Sequence, residues 1–167
     1  SSGSSIQYLT AGQNVTYFAA SDGTSGLVLW KSDGTAAGTS LVKDIRPGAV
    51  STTFRNVPFV TQGDVLYFVA NNGLTGEELW KSDGTDAGTL LLKDINPGGG
   101  GSSISNLTAS ANRVYFSAYT PSTGTEFYVS DGTPAGTLLT QDLNPGTASS
   151  NPGKAFRLGP KLLVSVY

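Results

Sequence analysis

The sequence contains no cysteine, no histidine and no methionine, and only 13% of its residues are charged. Without cysteine or histidine it has no thiol nucleophile, no disulfide, no imidazole general base and none of the soft ligands that zinc, copper or haem iron prefer. The absence of cysteine does not choose a compartment, because a fold held by its own core needs no disulfide. Without methionine, the sequence as it stands reads as a processed, excised or tagged product. There is no basic run, and the formal net charge is −2, so the chain carries no electrostatic footprint for nucleic acid or anionic lipid. No apolar run approaches the length of a membrane span and no secretory leader is present, so membrane insertion is not expected. What is abundant is glycine, 22 of 167 residues, together with serine and threonine and a hydrophobic fraction of 38%. That mixture suits many short strands joined by tight turns around one core.

The chain repeats itself. Leu29-Trp-Lys-Ser-Asp-Gly-Thr-Ala-Ala-Gly-Thr39 returns as Leu79-Trp-Lys-Ser-Asp-Gly-Thr-Asp-Ala-Gly-Thr89 and as Phe127-Tyr-Val-Ser-Asp-Gly-Thr-Pro-Ala-Gly-Thr137, at spacings of 50 and 48 residues. Each copy runs on into Leu41-Val-Lys-Asp-Ile-Arg-Pro-Gly48, Leu91-Leu-Lys-Asp-Ile-Asn-Pro-Gly98 or Leu139-Thr-Gln-Asp-Leu-Asn-Pro-Gly146. The units are 1–50, 51–98, 99–146 and an incomplete 147–167.

Apolar runs bounded by Gly, Pro, Asn and Asp predict four strands per unit, A to D. In the second unit they are 55–62, 65–71, 78–82 and 89–95. Strand B is apolar almost throughout in every copy (15–20, 65–70, 114–119 and 162–167), which predicts packing on both faces. Four short antiparallel strands per unit of about fifty residues, covered on both sides, describe the blades of a β-propeller. The expected fold is therefore all-β, with about three and a half four-stranded antiparallel blades. Strand D carries Lys43 or Lys93, charges read here as guards against edge pairing, with Gln141 a weaker guard in the third copy.

These residues resemble the ELWxxDGT repeat, a secreted or cell-surface bacterial repeat of propeller type, less often archaeal. Glu78-Leu-Trp-Lys-Ser-Asp-Gly-Thr85 carries the signature in full, residues 28–35 depart from it at Val28, and residues 126–133 replace Leu-Trp with Phe-Tyr. The resemblance spans nearly the whole chain. It implies an extracellular location and brings no catalytic residues with it.

No residue set reads as catalytic and no cofactor or metal is expected. Asp33, Asp83 and Asp131 invite a calcium reading, but a hard cation wants six to eight oxygens and these loops supply one carboxylate each, apart from the extra Asp86. The structural account is an Asx-type turn in which Asp caps its own backbone and Gly34, Gly84 or Gly132 takes positive φ. Asp44, Asp94 and Asp142 are read as caps for the following Pro-Gly turn or as partners of a neighbouring lysine. Trp30, Trp80 and Tyr128 could stack sugars, but in mid-strand they read as packing between blades. Glu77 and Glu78 are adjacent on a strand, so they face opposite ways and cannot act as a carboxylate pair. Gly98–Gly101 precedes no helix and reads as a connection. Asn14 and Asn106 open N-x-Thr sequons, and the Ser/Thr-rich connections at 51–53, 102–105 and 147–150 are candidates for O-linked sugar.

In a propeller the B-to-C and D-to-A connections emerge on one face. Here they are 21–26, 71–76, 120–125 and the three Pro-Gly stretches, which vary between copies while the Asp-Gly-Thr turns do not. Recognition is expected on that variable face. Residues 161–167 align with 113–119, so the chain stops after strand B of a fourth unit, leaving Leu162, Leu163, Val164, Val166 and Tyr167 as an unpaired edge. Such an edge needs a partner strand or subunit. The expected function is a non-enzymatic extracellular structural or adhesive module that joins copies of itself in an oligomer or filament, or belongs to a longer propeller. The alternative is a lectin-like propeller binding glycans through the variable loops.

Overall fold

The computed structural model describes residues 5–165 apart from 22, 49–50, 56, 111 and 159–160, and among them it contains strands and no helix. The first sheet has the order β1 (Gln7–Ala11), β2 (Thr16–Ser21), β3 (Leu27–Ser32), β4 (Ser40–Lys43). In the second, β7 (Val65–Asn71), β8 (Glu77–Ser82) and β9 (Leu90–Lys93) follow one another, and both β5 (Thr53–Phe54) and β6 (Val60–Gln62) pair with the outer side of β7. The third sheet runs β10 (Ser105–Ser110), β11 (Arg113–Thr120), β12 (Gly124–Ser130), β13 (Leu138–Gln141), and β14 (Ala155–Leu158) pairs with β15 (Lys161–Val164). Every pairing is antiparallel. The apolar runs form strands as the sequence predicts, with two departures.

Strand A of the second unit is not one strand over 55–62 but two short pieces, β5 and β6. In the first and third units the same strand stays whole by slipping its register once, between Gln7 and Thr10 and between Ser105 and Thr108, with Tyr8 and Asn106 at positive φ (58° and 55°). The corresponding residue of the second unit is Pro58, whose ring holds φ near −65°. It cannot take the left-handed conformation that lets the other copies slip and continue. Strand D is also shorter than predicted, because Thr89 belongs to the preceding turn and Asp94 and Ile95 to the following connection.

Consecutive sheets pack face to face, and strand B shows how. In β7, Leu66, Phe68 and Ala70 lie in a core shared with the first sheet's Tyr17, Ala19, Leu29 and Val42. Tyr67 and Val69 lie in a second core with Ile104, Leu107, Val114, Phe116 and Tyr128 of the third. The ordinary period-two alternation is present, but both faces are covered, so the sequence reads as continuous apolar residues. Strand D contributes through a bulge: Leu29 faces Lys43 and Trp30 faces Leu41 across the ladder, leaving Val42 extra, and Leu92 is the matching residue in the second sheet. Both extra residues are buried in the inter-sheet cores.

The sheets approach one another along their first strands, β1 to β6, β6 to β10 and β10 to β14, and among the described residues no comparable contact joins β4, β9 and β13. Polar ties cross each gap. Tyr17 O–H donates to the Asp64 carbonyl at 2.7 Å and Tyr8 O–H to that of Phe54 at 3.1 Å. Lys43 and Lys93, expected to guard an edge, instead reach the next sheet, donating to the carbonyls of Asp86 (3.0 Å) and Thr137 (2.7 Å). Lys43 also lies 3.4 Å from the Asp86 carboxylate.

Candidate functional site

The three Asp-Gly-Thr turns are built to one plan. Asp83 Oδ1 accepts from Thr85 N at 2.9 Å and from Thr85 Oγ1 at 2.7 Å, and Thr85 Oγ1 in turn accepts from Gly88 N at 2.9 Å. Ser82 Oγ accepts from Gly84 N at 3.0 Å and lies 2.7 Å from Thr89 Oγ1. Asp33 and Asp131 hold Thr35 and Thr133 by the same bonds. Gly84 has φ of 84°, and a Cβ on Gly88 would overlap the Asp83 carboxylate, so each glycine of the turn answers a different steric demand. The threonine hydroxyl and amide hold each of the three carboxyls below the usual range. The turns also meet the preceding sheet, since Lys81 donates to the Gly132 carbonyl at 2.6 Å. Among the described residues no three acidic side chains gather as a cation site would require.

Two carboxylates of strand C, Glu78, rejected above as half of a catalytic pair with Glu77, and its counterpart Glu126, have a structural position that the sequence did not suggest. Glu78 and Glu126 are fully buried. Glu78 accepts from Ile95 N (3.2 Å), Asn96 N (3.4 Å) and Ser102 Oγ (2.6 Å). Glu126 accepts from Leu143 N (3.1 Å), Ser150 N (2.8 Å) and Ser150 Oγ (2.6 Å). Each fastens the D-to-A connection onto strand C. Burial pushes the Glu78 carboxyl up, against the opposing pull of its donors Ser102, Ile95 and Asn96. Glu77, as expected of its neighbour, points elsewhere and pairs with Arg55 at 2.7 Å.

The first unit has Val28 at this position, and its surroundings differ accordingly. Thr52, the counterpart of Ser102 and Ser150, is buried, and its hydroxyl has no partner among the described residues. Asp44 Oδ1 accepts from Arg46 N at 3.0 Å, whereas in the other two units the glutamate takes donors of that turn, and among the described residues one buried oxygen of Asp94 and of Asp142 has no partner. The signal for this clamp was the Glu of the Glu-Leu-Trp signature together with a serine twenty-four residues later.

The repeated aromatics divide. Trp80 and Tyr128 are buried between sheets, Trp80 facing the first with its Nε1–H donating to the Ala70 carbonyl at 3.1 Å, and Tyr128 stacked 5.7 Å from Phe116 facing the second. Trp30 occupies the same register, opposite Phe18 and Leu41, but on the face of the first sheet turned away from the second. Its buried Nε1–H has no partner among the described residues.

The variable connections do share one edge of the molecule. Thr52 N donates to the Leu27 carbonyl, Ser102 N to that of Glu77 and Ser150 N to that of Thr125, which binds each D-to-A connection to its own B-to-C loop. The loops 21–26, 71–76 and 120–125 contain no aromatic residue, and Leu74 is the most exposed large apolar side chain there, at 80%. The sequon amides are engaged: Asn14 Nδ2 donates to Asp64 Oδ2 at 2.6 Å and Asn106 Nδ2 to the Pro152 carbonyl at 3.0 Å. Of the terminal edge, β15 pairs with β14 and no strand lies on its other side among the described residues. Leu163 is exposed and Val164 half-buried, the Leu162 side chain is not described, and Val166 and Tyr167 lie outside the described residues.

No protein-family model and no curated protein matches the chain. Among solved structures it is similar to the computationally designed Ika8 protein, with 17% sequence identity and a TM-score of 0.49 over 97% of this chain and 43% of that one. The chain thus spans less than half of that protein's length, and a likeness at this level carries no argument.

Proposed function

We propose that the protein is a non-enzymatic structural module that associates with copies of itself, and that its sheets are the blades of an arc of β-propeller type. The observation that carries this reading is the repeated interface. Three sheets are joined by two face-to-face cores of one design, and they approach one another along their first strands, which supports reading them as blades fanned around an axis. The repeated acids are occupied in holding turns and connections. The resemblance to the ELWxxDGT repeat supports placing the module outside the cell or on its surface, in a bacterium. Within a longer chain the same faces take further sheets of the repeat.

Sedimentation velocity over a wide concentration range tests the reading. The expected result is growth beyond the monomer mass with concentration. A chain that stays monomeric at the highest attainable concentration, or turnover of an ester, glycoside or peptide that vanishes on replacing one Asp or Glu, would refute it.

A further inference from the structure

The first sheet leaves open a face whose counterparts are closed elsewhere in the molecule. Ile6, Leu9 and Leu41, which are 60%, 67% and 45% exposed, join Phe18, Ala20 and Trp30 on the side turned from the second sheet. An apolar hollow of about 280 Å³ lies among Ile6, Phe18, Ala20 and Trp30. Two repeats on, the residues in the same register are Ile104, Leu107, Phe116, Ala118 and Tyr128, all buried in the core against the second sheet, with Leu139 packed at its margin. The repeat therefore states what such a face accepts: the opposite face of a sheet of the same kind, centred on a tyrosine of strand B. Tyr17 plays that part for the second sheet and Tyr67 for the third.

A face of that opposite kind is open at the other end of the stack. Ala155 pairs with Val164 in the β14–β15 ladder, and Ala155 is buried. The next pair, Phe156 with Leu163, points the other way and is 62% and 49% exposed. It occupies the register held by Thr10 with Tyr17 and by Val60 with Tyr67, the pairs that cover the following sheet.

We infer that these two faces bind each other between copies, with β14–β15 of one chain seated over β1–β2 of the next, Phe156 and Leu163 against Ile6, Leu9 and Phe18. Neither internal interface pairs two faces of the same kind, so the contact is head to tail and not two-fold. A head-to-tail contact leaves one open face at each end, so it extends copy by copy, into a closed ring where the rotation closes and an open filament where it does not. This assignment rests on the self-association proposed above.

Leu9→Asp and Phe156→Asp test it, since both side chains are exposed in the single chain and a carboxylate there has no core to disrupt. Each variant alone is expected to weaken association roughly tenfold or more, because complex formation would bury an unpaired charge. An equimolar mixture is expected to give a one-to-one dimer that grows no further, formed through the intact face of each partner. If Leu9→Asp is monomeric while Phe156→Asp assembles like the parent, the contact is two-fold and the proposal falls. If the parent associates and neither variant changes it, the faces are wrong although self-association stands. A monomeric parent sinks both readings together.

Discussion

One side chain, Val28, decides how the turn after strand D is satisfied. Where Glu78 and Glu126 stand, the glutamate takes the turn's amides and the hydroxyl of the next connection, and the aspartate of the Lys-Asp-Ile stretch loses a partner. Where valine stands, Asp44 takes the turn amide and Thr52 is left without an acceptor among the described residues. The two acids are alternatives for overlapping donors, so their replacement should not be additive. Asp44→Ala is expected to cost about 1 kcal/mol, the net worth of one such hydrogen bond, while Asp94→Ala is expected to be neutral or slightly stabilising. In a Glu78→Val background Asp94→Ala should become as costly as Asp44→Ala. Urea melts of the parent, the three single variants and the double variant measure this, and additive losses would refute it. The departure at Val28 was plain in the sequence. Its effects at Thr52 and Arg46 were not, because they arise from which buried donor finds an acceptor, a matter of three-dimensional neighbourhood and not of local pattern.

At the scale of elements, strands B and C were legible nearly to the residue, because their apolar runs are long and both faces are covered. Strand A of the second unit was not, since the pattern of alternation does not reveal that its neighbours depend on a left-handed residue that Pro58 forbids. The lysines of strand D were misplaced because a charge on an outer strand has the same appearance whether it faces water or a neighbouring carbonyl. The aromatic of strand C divides by environment in a way that identical motifs conceal. Trp80→Ala removes a ring buried between sheets and is expected to cost about 3–5 kcal/mol, whereas Trp30→Ala, on an open face, should cost clearly less in the dilute monomer. Equal losses in denaturant titrations would contradict the assignment of faces. The tyrosine that spans the first gap provides a separate probe. Burial, with the nearby Asp64 and Asp83 carboxylates, pushes the Tyr17 phenol up from 10.0 to about 12. Its contribution to stability is complete below pH about 10, where it is protonated in both folded and unfolded chains, and is lost as pH rises through about 12. Tyr17→Phe should therefore flatten, though not abolish, the fall in melting temperature across that window, because burial also raises Tyr67. An unchanged slope would remove Tyr17 from the account.

For the whole molecule, the important property is that its sheets interact in series. Each of the two cores joins one pair of consecutive sheets, and among the described residues no hydrogen bond connects the first sheet to the third. Stability in such an array is a sum of unit and nearest-neighbour terms. The repeat count and the order of units followed directly from the sequence, whereas the two open faces emerged only when the register of each strand was known, since they are defined by which side of the sheet Phe18 and Phe156 occupy. Series connection has a further consequence when a chain of this design is pulled from its two ends. Among the described residues no hydrogen bond bridges past a neighbour to share the load, so every junction carries the full tension at once, and the weakest opens while the others hold. The extension would come as separate rips of about one repeat's contour length, with the intact sheets re-closing behind them when the pull relaxes, which is the behaviour of a shock absorber and not of a rigid strut.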